Sequence, residues 1–185
     1  FGQLSEVLVR AGLNITAIDI SATAVEKTKQ VLSQVALSKN QQMPTVIVGS
    51  GTEIPAADGS LQVVIFSDGL CGWELSHEQK LKALSEANRV LAPGGHLVTT
   101  EYLPPSHFNS YLSVLKEGPL SIQQVSYLND RLWFQLNTNL RHIRHLGPVK
   151  SLLKSIPTAK VLAAISSLFG YRGSKHIGVV LKKSV

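Results

Sequence analysis

At 185 residues with 44% hydrophobic content, the chain is long enough for one well-cored domain, or one domain carrying an inserted cover. No run of about 18 uncharged apolar residues occurs, so no membrane-spanning helix is expected. The opening FGQLSEVLVR does not have the pattern of a signal peptide. The single cysteine, Cys71, excludes an internal disulfide and a Cys-rich metal site, and it suits a reduced, cytoplasmic setting. The net charge of +6 is unevenly placed. Residues 1–102 hold seven Lys/Arg against ten Asp/Glu, whereas residues 103–185 hold eleven against only Glu117 and Asp130. The C-terminal part therefore suits an anionic partner, whether a charged substrate, a membrane surface or RNA, or else it forms solvated faces of covering helices.

In chain order, Leu4, Val7, Leu8 and Ala11 mark a first helix that stops at Gly12. Asn14–Ile20 is a strand ending in Asp19. A carboxylate at that tip can accept both hydroxyls of an adenosine ribose, with Ile20 against the adenine, or it can simply cap the next helix. That helix is predicted from Ser21 to about Leu37, with Thr23 and Glu26 as a capping box. Thr45–Gly49 is the next strand. The Gly49-Ser50-Gly51 turn after it lacks the lysine of a phosphate-binding loop. Leu61–Ser67 is a short apolar run of the kind that forms a buried parallel strand. Ser76 and Gln79 form a capping box, and Leu81, Leu84, Ala87 and Leu91 line one helical face. Pro93-Gly94-Gly95 ends that helix, and His96–Glu101 returns to strand, which completes a βαβ unit.

The segments Ile54-Pro55, Asp58-Gly59-Ser60 and Glu86-Ala87-Asn88-Arg89-Val90-Leu91-Ala92-Pro93-Gly94-Gly95 resemble, in order and spacing, the class I S-adenosylmethionine-dependent methyltransferases. The likeness is to the type 11 small-molecule group that includes ubiquinone and menaquinone methylases, and it covers roughly residues 1–102. It implies an α/β, Rossmann-like, doubly wound and mostly parallel sheet, with residues 1–102 as the cofactor-binding core. It also implies that Gly2 is the last glycine of a G-x-G-x-G loop, so that strand 1 and the other glycines are absent from an N-terminally truncated chain. Ser50, Gly51 and Thr52 would then meet the adenine, and Ser67 the cofactor. Two positions depart from the family pattern: Ser50 stands where an acidic residue is frequent, and Gln62 where Asp is usual.

Asp68, Glu101 and His107 lie where strands end at the carboxyl edge of the sheet, as does Tyr102, and are candidates to face substrate or take a proton. Glu101 has an alternative role as a backbone partner, and His107 as an exposed loop residue. Trp73 is read as core packing or a substrate wall. Residues 103–170 are predicted to be a helical insertion between strands 5 and 6, covering the substrate. Phe108, Tyr111, Leu112 and Leu115 make one helical face. A longer one runs from Ile122 to Ile143 behind a capping box at Ser121–Gln124, with Trp133 and Phe134 hinting at an apolar pocket. Thr158 would cap a last helix closed by Gly170. The RHIRH run at 141–145 suits an anion better than a metal, and no metal is expected. Residues 171–185 supply a last strand, His176–Lys183. The expected function is methyl transfer from S-adenosylmethionine to a small apolar or anionic acceptor. A non-catalytic relative binding a partner, RNA or membrane is the alternative, and a nicotinamide enzyme a weaker one.

Overall fold

The computed structural model describes residues 1–70, 75–140, 147–153 and 155–184, so the expectations on Cys71, Trp73 and the 141–145 run fall outside the described residues. The chain divides into two compact units, Phe1–Pro55 and Ala56–Val185. In the first unit, α1 (Gln3–Arg10) and β1 (Thr16–Asp19) are followed by α2 (Ala22–Leu32) and β2 (Thr45–Val48). The two strands pair in parallel, with Asp19 opposite Val48. Val9, Leu32 and Val35 form the core with Ile15, Leu37 and Val46 around them. Val9 is thus the buried contact of α1, while Leu4 and Val7 of the expected face are exposed. Gln41 ties the connecting loop down by donating to the Val9 and Leu13 carbonyls.

Helix α2 is shorter than the sequence suggested, and Ser21 caps it in place of Thr23: the Ser21 hydroxyl accepts from the Ala24 amide. An N-cap needs extended backbone so that its side chain can turn back onto free amides. Ser21 has that backbone (φ −87°, ψ 112°), whereas Thr23 already lies within the helix.

The second unit is a four-stranded sheet in the order β3-β4-β6-β5. Strands β3 (Leu61–Ser67) and β4 (Leu91–Tyr102) are parallel and joined by α3 (His77–Val90); β6 (His176–Lys182) lies antiparallel to β4. The expected capping box is present, with Gln79 N donating to Ser76 Oγ and Ser76 N to Gln79 Oε1. Arg89 near the end of α3 donates to Glu86, to Asp58 Oδ1 at 2.6 Å and to the Ala56 carbonyl, and Gly59 N donates back to the Arg89 carbonyl. The two motif segments singled out in the sequence, Asp58-Gly59-Ser60 and Glu86–Gly95, are therefore physically clasped. Their hydrogen bonds, to Glu86 first and then Asp58, raise the Arg89 pKa. Between Leu91, paired with Leu61, and His96, paired with Val63, the chain bulges through Pro93-Gly94-Gly95. A Cβ on Gly95 would lie 2.9 Å from the Ala92 carbonyl and 3.0 Å from that of Gln62, so only glycine fits there.

Residues 103–170 are not all helical. After a 3-10 turn at Pro105–His107 and α4 (Phe108–Glu117), Ser121–Tyr127 is a strand, β5, antiparallel to β6. A register shift between Ile122 and Gln124 explains the misreading. The extra residue breaks the period of two and leaves Ile122, Val125 and Leu128 at helix-like spacing. Together β5 and β6 form an antiparallel pair, and the residues just before β6, Gly170–Gly173, form a 3-10 turn. Helices α5 (Arg131–Leu140), α6 (Gly147–Leu153) and α7 (Ile156–Ser167) then lie between β5 and β6. Ser155, not Thr158, caps α7. Phe108, Tyr111 and Leu115 of α4 are buried as expected, in a core with Leu84, Leu97, Ile177, Val179 and Leu181.

Candidate active site

In the first unit the loops that follow β1 and β2 are neighbours, because Gly49 N donates to the Asp19 carbonyl at 3.1 Å. Close approach is possible only because Gly49 has no side chain: a Cβ would sit 2.8 Å from Ile18 Cγ2. The Asp19 side chain is exposed, and its Oδ1 accepts from the Ser21 amide at 2.8 Å. Both roles read from sequence therefore remain compatible, since one oxygen supports the start of α2 while Oδ2 has no partner among the described residues. Ile20 beside it is 70% exposed. An exposed carboxylate next to an exposed branched apolar side chain fits an adenosine, which needs a hydroxyl acceptor beside an apolar surface. Ser50 closes its own turn: its hydroxyl accepts from Thr52 N and pairs with Thr52 Oγ1. Gly51 and Thr52 occupy that turn. Gly2 is the N-cap of α1 in a left-handed conformation (φ 73°), and a Cβ there would press on Thr28 at 3.1 Å.

In the second unit the carboxyl edge gathers the ends of β3 and β4 and the start of β6. Ser67 is exposed and only weakly engaged by Thr100. Asp68 (φ 53°) is held by its amide on the Thr100 carbonyl and by Oδ1 accepting from Tyr102 N. Glu101 is buried, 2% exposed, and its Oε1 accepts from the Leu70 amide at 2.6 Å, so it takes the backbone-partner role. His107 is exposed next to Ser106, at the entry to α4.

At the same edge, beside Tyr102 and Phe134, which the sequence had singled out, lies a pairing that sequence reasoning missed, Asp130 with His176. Tyr102 and His176 are register partners across β4 and β6, with ring centroids 5.1 Å apart. Phe134 of α5 stands 4.9 Å from the Tyr102 ring, and Lys175 Nζ 5.6 Å from it. His176 Nδ1 is hydrogen-bonded to Asp130 Oδ2, while Asp130 Oδ1 accepts from the amides of Lys175 and His176. The hydrogen bond to Asp130 raises the His176 pKa despite burial, helped by the charges of Asp130 and Asp68. Burial pushes Asp130 up, but the bonds from His176 and the Lys175 amide outweigh it and hold the carboxyl below its ordinary value. The one available signal was Asp130 itself, one of two acids beyond residue 102.

This pair gives stability a defined pH dependence. A histidine whose pKa rises on folding stabilises fully below its unfolded value, about 6.5, and that contribution disappears as pH rises through the folded value. A carboxyl whose pKa falls on folding stabilises above about 3.8 and loses its contribution as pH drops through the folded value. The stability difference between wild type and His176→Asn, followed by denaturant unfolding, is expected to peak between those two values and to shrink toward pH 9. A difference that does not change with pH would show that the pair carries no charge coupling.

Among the described residues, no group of three or more His, Cys, Asp or Glu side chains is placed to hold a metal ion. Residues 1–99 match a family described as a methyltransferase domain. A demethylmenaquinone methyltransferase of Renibacterium salmoninarum is 32% identical over 116 residues, covering 63% of this chain and 43% of that protein. Its counterpart in Beutenbergia cavernae is 31% identical over 104 residues, covering 56% and 38%. The chain thus spans about two-fifths of the length of these curated relatives. Among solved structures, the [4+2]-cyclase SpnF superposes with a TM-score of 0.67 at 18% identity, covering all of this chain and 71% of the other. The N-methyltransferase NodS of Bradyrhizobium japonicum WM9, bound to S-adenosyl-L-homocysteine, gives 0.61 at 12% identity, covering 98% and 72%.

Proposed function

Since the chain belongs to the class I S-adenosylmethionine-dependent methyltransferases, with their Rossmann-like α/β fold and S-adenosylmethionine as cofactor, we propose that it methylates a small, apolar, ring-bearing acceptor. The observation that carries this reading is the exposed Asp19 at the carboxyl end of β1, with one oxygen uncommitted beside Ile20. Asp19 would hold the ribose hydroxyls and Ile20 the adenine. Gly51 and Thr52 would offer backbone contacts, with Gly2 and Ser50 as further contacts. The cofactor supplies an already activated methyl group, so the chain's own task is to orient the acceptor and keep water out. Residues 1–102 form the cofactor core in this reading, helices within 103–170 cover the acceptor, and 171–185 complete the sheet. The two demethylmenaquinone methyltransferase relatives support a quinone-type acceptor. The Tyr102–Phe134 ring pair offers an aromatic surface for it.

The test is calorimetric titration of S-adenosylhomocysteine into this chain and into the whole product of its gene. Binding by either supports methyl transfer. Binding by neither favours the non-catalytic reading, which has one observation in its favour, the self-satisfied turn at Ser50. Fold alone does not decide, because a cyclase shares it.

A cytoplasmic protein acting at a membrane surface fits the C-terminal unit. No helix among the described residues is long and apolar enough to cross a membrane. Residues 131–185, however, contain ten Lys/Arg and no acid. Leu152, Ile156, Val161, Leu168 and Phe169, in and around α7, are all more than half exposed. An apolar surface within a basic segment suits the interface of an anionic bilayer. Binding to vesicles of anionic phospholipid is expected at low salt, weakening as salt rises and lost in Leu168→Asp with Phe169→Asp. Equal binding to neutral vesicles, or none at low salt, would remove this role.

A further inference from the structure

Asp130 and His176 form a hydrogen-bonded unit at the carboxyl edge of the sheet. Asp130 Oδ1 alone already ties the connection between β5 and α5 to the start of β6 through the Lys175 and His176 amides. The second oxygen is spent on the imidazole Nδ1. This fixes the ring's orientation and leaves Nε2, which has no partner among the described residues, as the nitrogen available to a ligand. The imidazole side chain retains 28% of its exposure and stands beside Tyr102, with Phe134 beyond. The groups facing it are the carboxylates of Asp130 and Asp68, the phenol of Tyr102 and, from its own strand entrance, Lys175. An imidazole oriented by a carboxylate, next to an aromatic surface at the carboxyl edge of the sheet, is equipped to remove a proton from a ring hydroxyl.

We propose that His176, oriented by Asp130, is the general base for an acceptor carrying an ionisable ring hydroxyl, a phenol or hydroquinone, and that Tyr102 and Phe134 flank its ring. The proposal rests on the methyl-transfer reading above. The O–H bond breaks with its proton going to Nε2, and the electron pair stays on the oxygen and the ring carbon conjugated with it. As that atom bonds to the methyl carbon, the carbon–sulfur bond breaks and its pair remains on sulfur. Where carbon is the attacking atom, the ring hydrogen then leaves as a proton, aromaticity returns, and the ring oxygen takes a proton back from Nε2. Either way one proton is released per methyl group transferred. Asp130 is a positioning residue here, because it acts only through the ring of His176.

His176→Asn keeps an amide donor near the Nδ1 position and so preserves the tie to Asp130. Asp130→Asn keeps an oxygen for the two backbone amides. Both variants and wild type would be assayed with a hydroquinone of the demethylmenaquinone kind across pH 5–10, with S-adenosylhomocysteine affinity measured in parallel. The expected result for His176→Asn is a kcat roughly 10²- to 10⁴-fold lower with unchanged S-adenosylhomocysteine affinity. The acid limb of the wild-type pH profile, lying above the pH of an ordinary histidine, should vanish with it. An acceptor analogue whose hydroxyl is already ionised should lose far less. In nitrogen-15 spectra His176 should carry its proton on Nδ1 at high pH, and Asp130→Asn should lower its titration point. If wild type methylates the hydroquinone and His176→Asn does so as fast with the acid limb intact, the base assignment falls while methyl transfer stands. If wild type neither binds S-adenosylhomocysteine nor methylates, both fall together.

Discussion

Titration of S-adenosylhomocysteine into the Asp19→Ala variant is expected to give an affinity roughly 10- to 150-fold below wild type, equivalent to about 1.5–3 kcal/mol. That is the scale of a hydrogen bond to a charged group, and a ribose diol can direct two donors at one carboxylate. The alanine variant also removes the acceptor of the Ser21 amide at the start of α2, a loss of about 1 kcal/mol from stability in the manner of a missing cap. Asp19→Asn separates the two effects. Its side-chain oxygen can still accept from Ser21 N, so stability should recover, while the missing charge leaves the ribose hydroxyls poorly held. An Asn variant that regains both stability and full affinity would mean that Asp19 is only a cap. An Ala variant with wild-type affinity would remove the residue from the site altogether.

The parts legible in the sequence are those whose determinants lie within one element. Leu61–Ser67 announces a buried strand by an unbroken apolar run, and Ser76 with Gln79 announces a helix start by two reciprocal hydrogen bonds four residues wide. The placement of Asp19 at a strand tip follows from the same local reasoning. Strand β5 was illegible because its bulge replaces alternation with helix-like spacing, so residues 121–143 read as one helix where the chain forms a strand followed by α5. That error hid the Asp130–His176 pair as well. The two residues meet only because β5 and β6 are adjacent and antiparallel, a pairing between segments 46 residues apart that no local pattern records. Glu101 shows the reverse limit. Its position at the end of β4 was read correctly, but whether a carboxylate there faces a ligand or a backbone amide depends on where Leu70 returns. The helix caps failed for a smaller reason of the same kind, since Thr23 and Thr158 carry suitable side chains on backbone that is already helical.

Gly173→Ala is expected to destabilise the C-terminal unit by on the order of 3–5 kcal/mol, at the upper end of overpacking changes. A Cβ at this position would lie 1.9 Å from the Ser166 carbonyl oxygen and 2.7 Å from its carbon. Backbone cannot rotate out of the way as a flexible side chain can, so the 3-10 turn and the end of α7 must separate. Ser166 is fully buried, and its hydroxyl accepts from Leu132 N, so the displacement would spread into α5. On the other side, Ser174 Oγ accepts from the Asn129 amide, and the next amides along, of Lys175 and His176, hold Asp130. Gly170, three residues earlier, provides the internal control. It has a positive φ of 56° but nothing within 4 Å of an added Cβ, so Gly170→Ala should cost only about 1–2 kcal/mol of left-handed backbone strain. Denaturant unfolding of the two variants should therefore separate them clearly, with Gly173→Ala also losing the Nδ1–H signature of His176. Two variants of equal, mild effect would mean that α7 and the 3-10 turn are not seated on one another. The frame that presents Asp130 to the imidazole would then have to be sought in β5 and β6 alone.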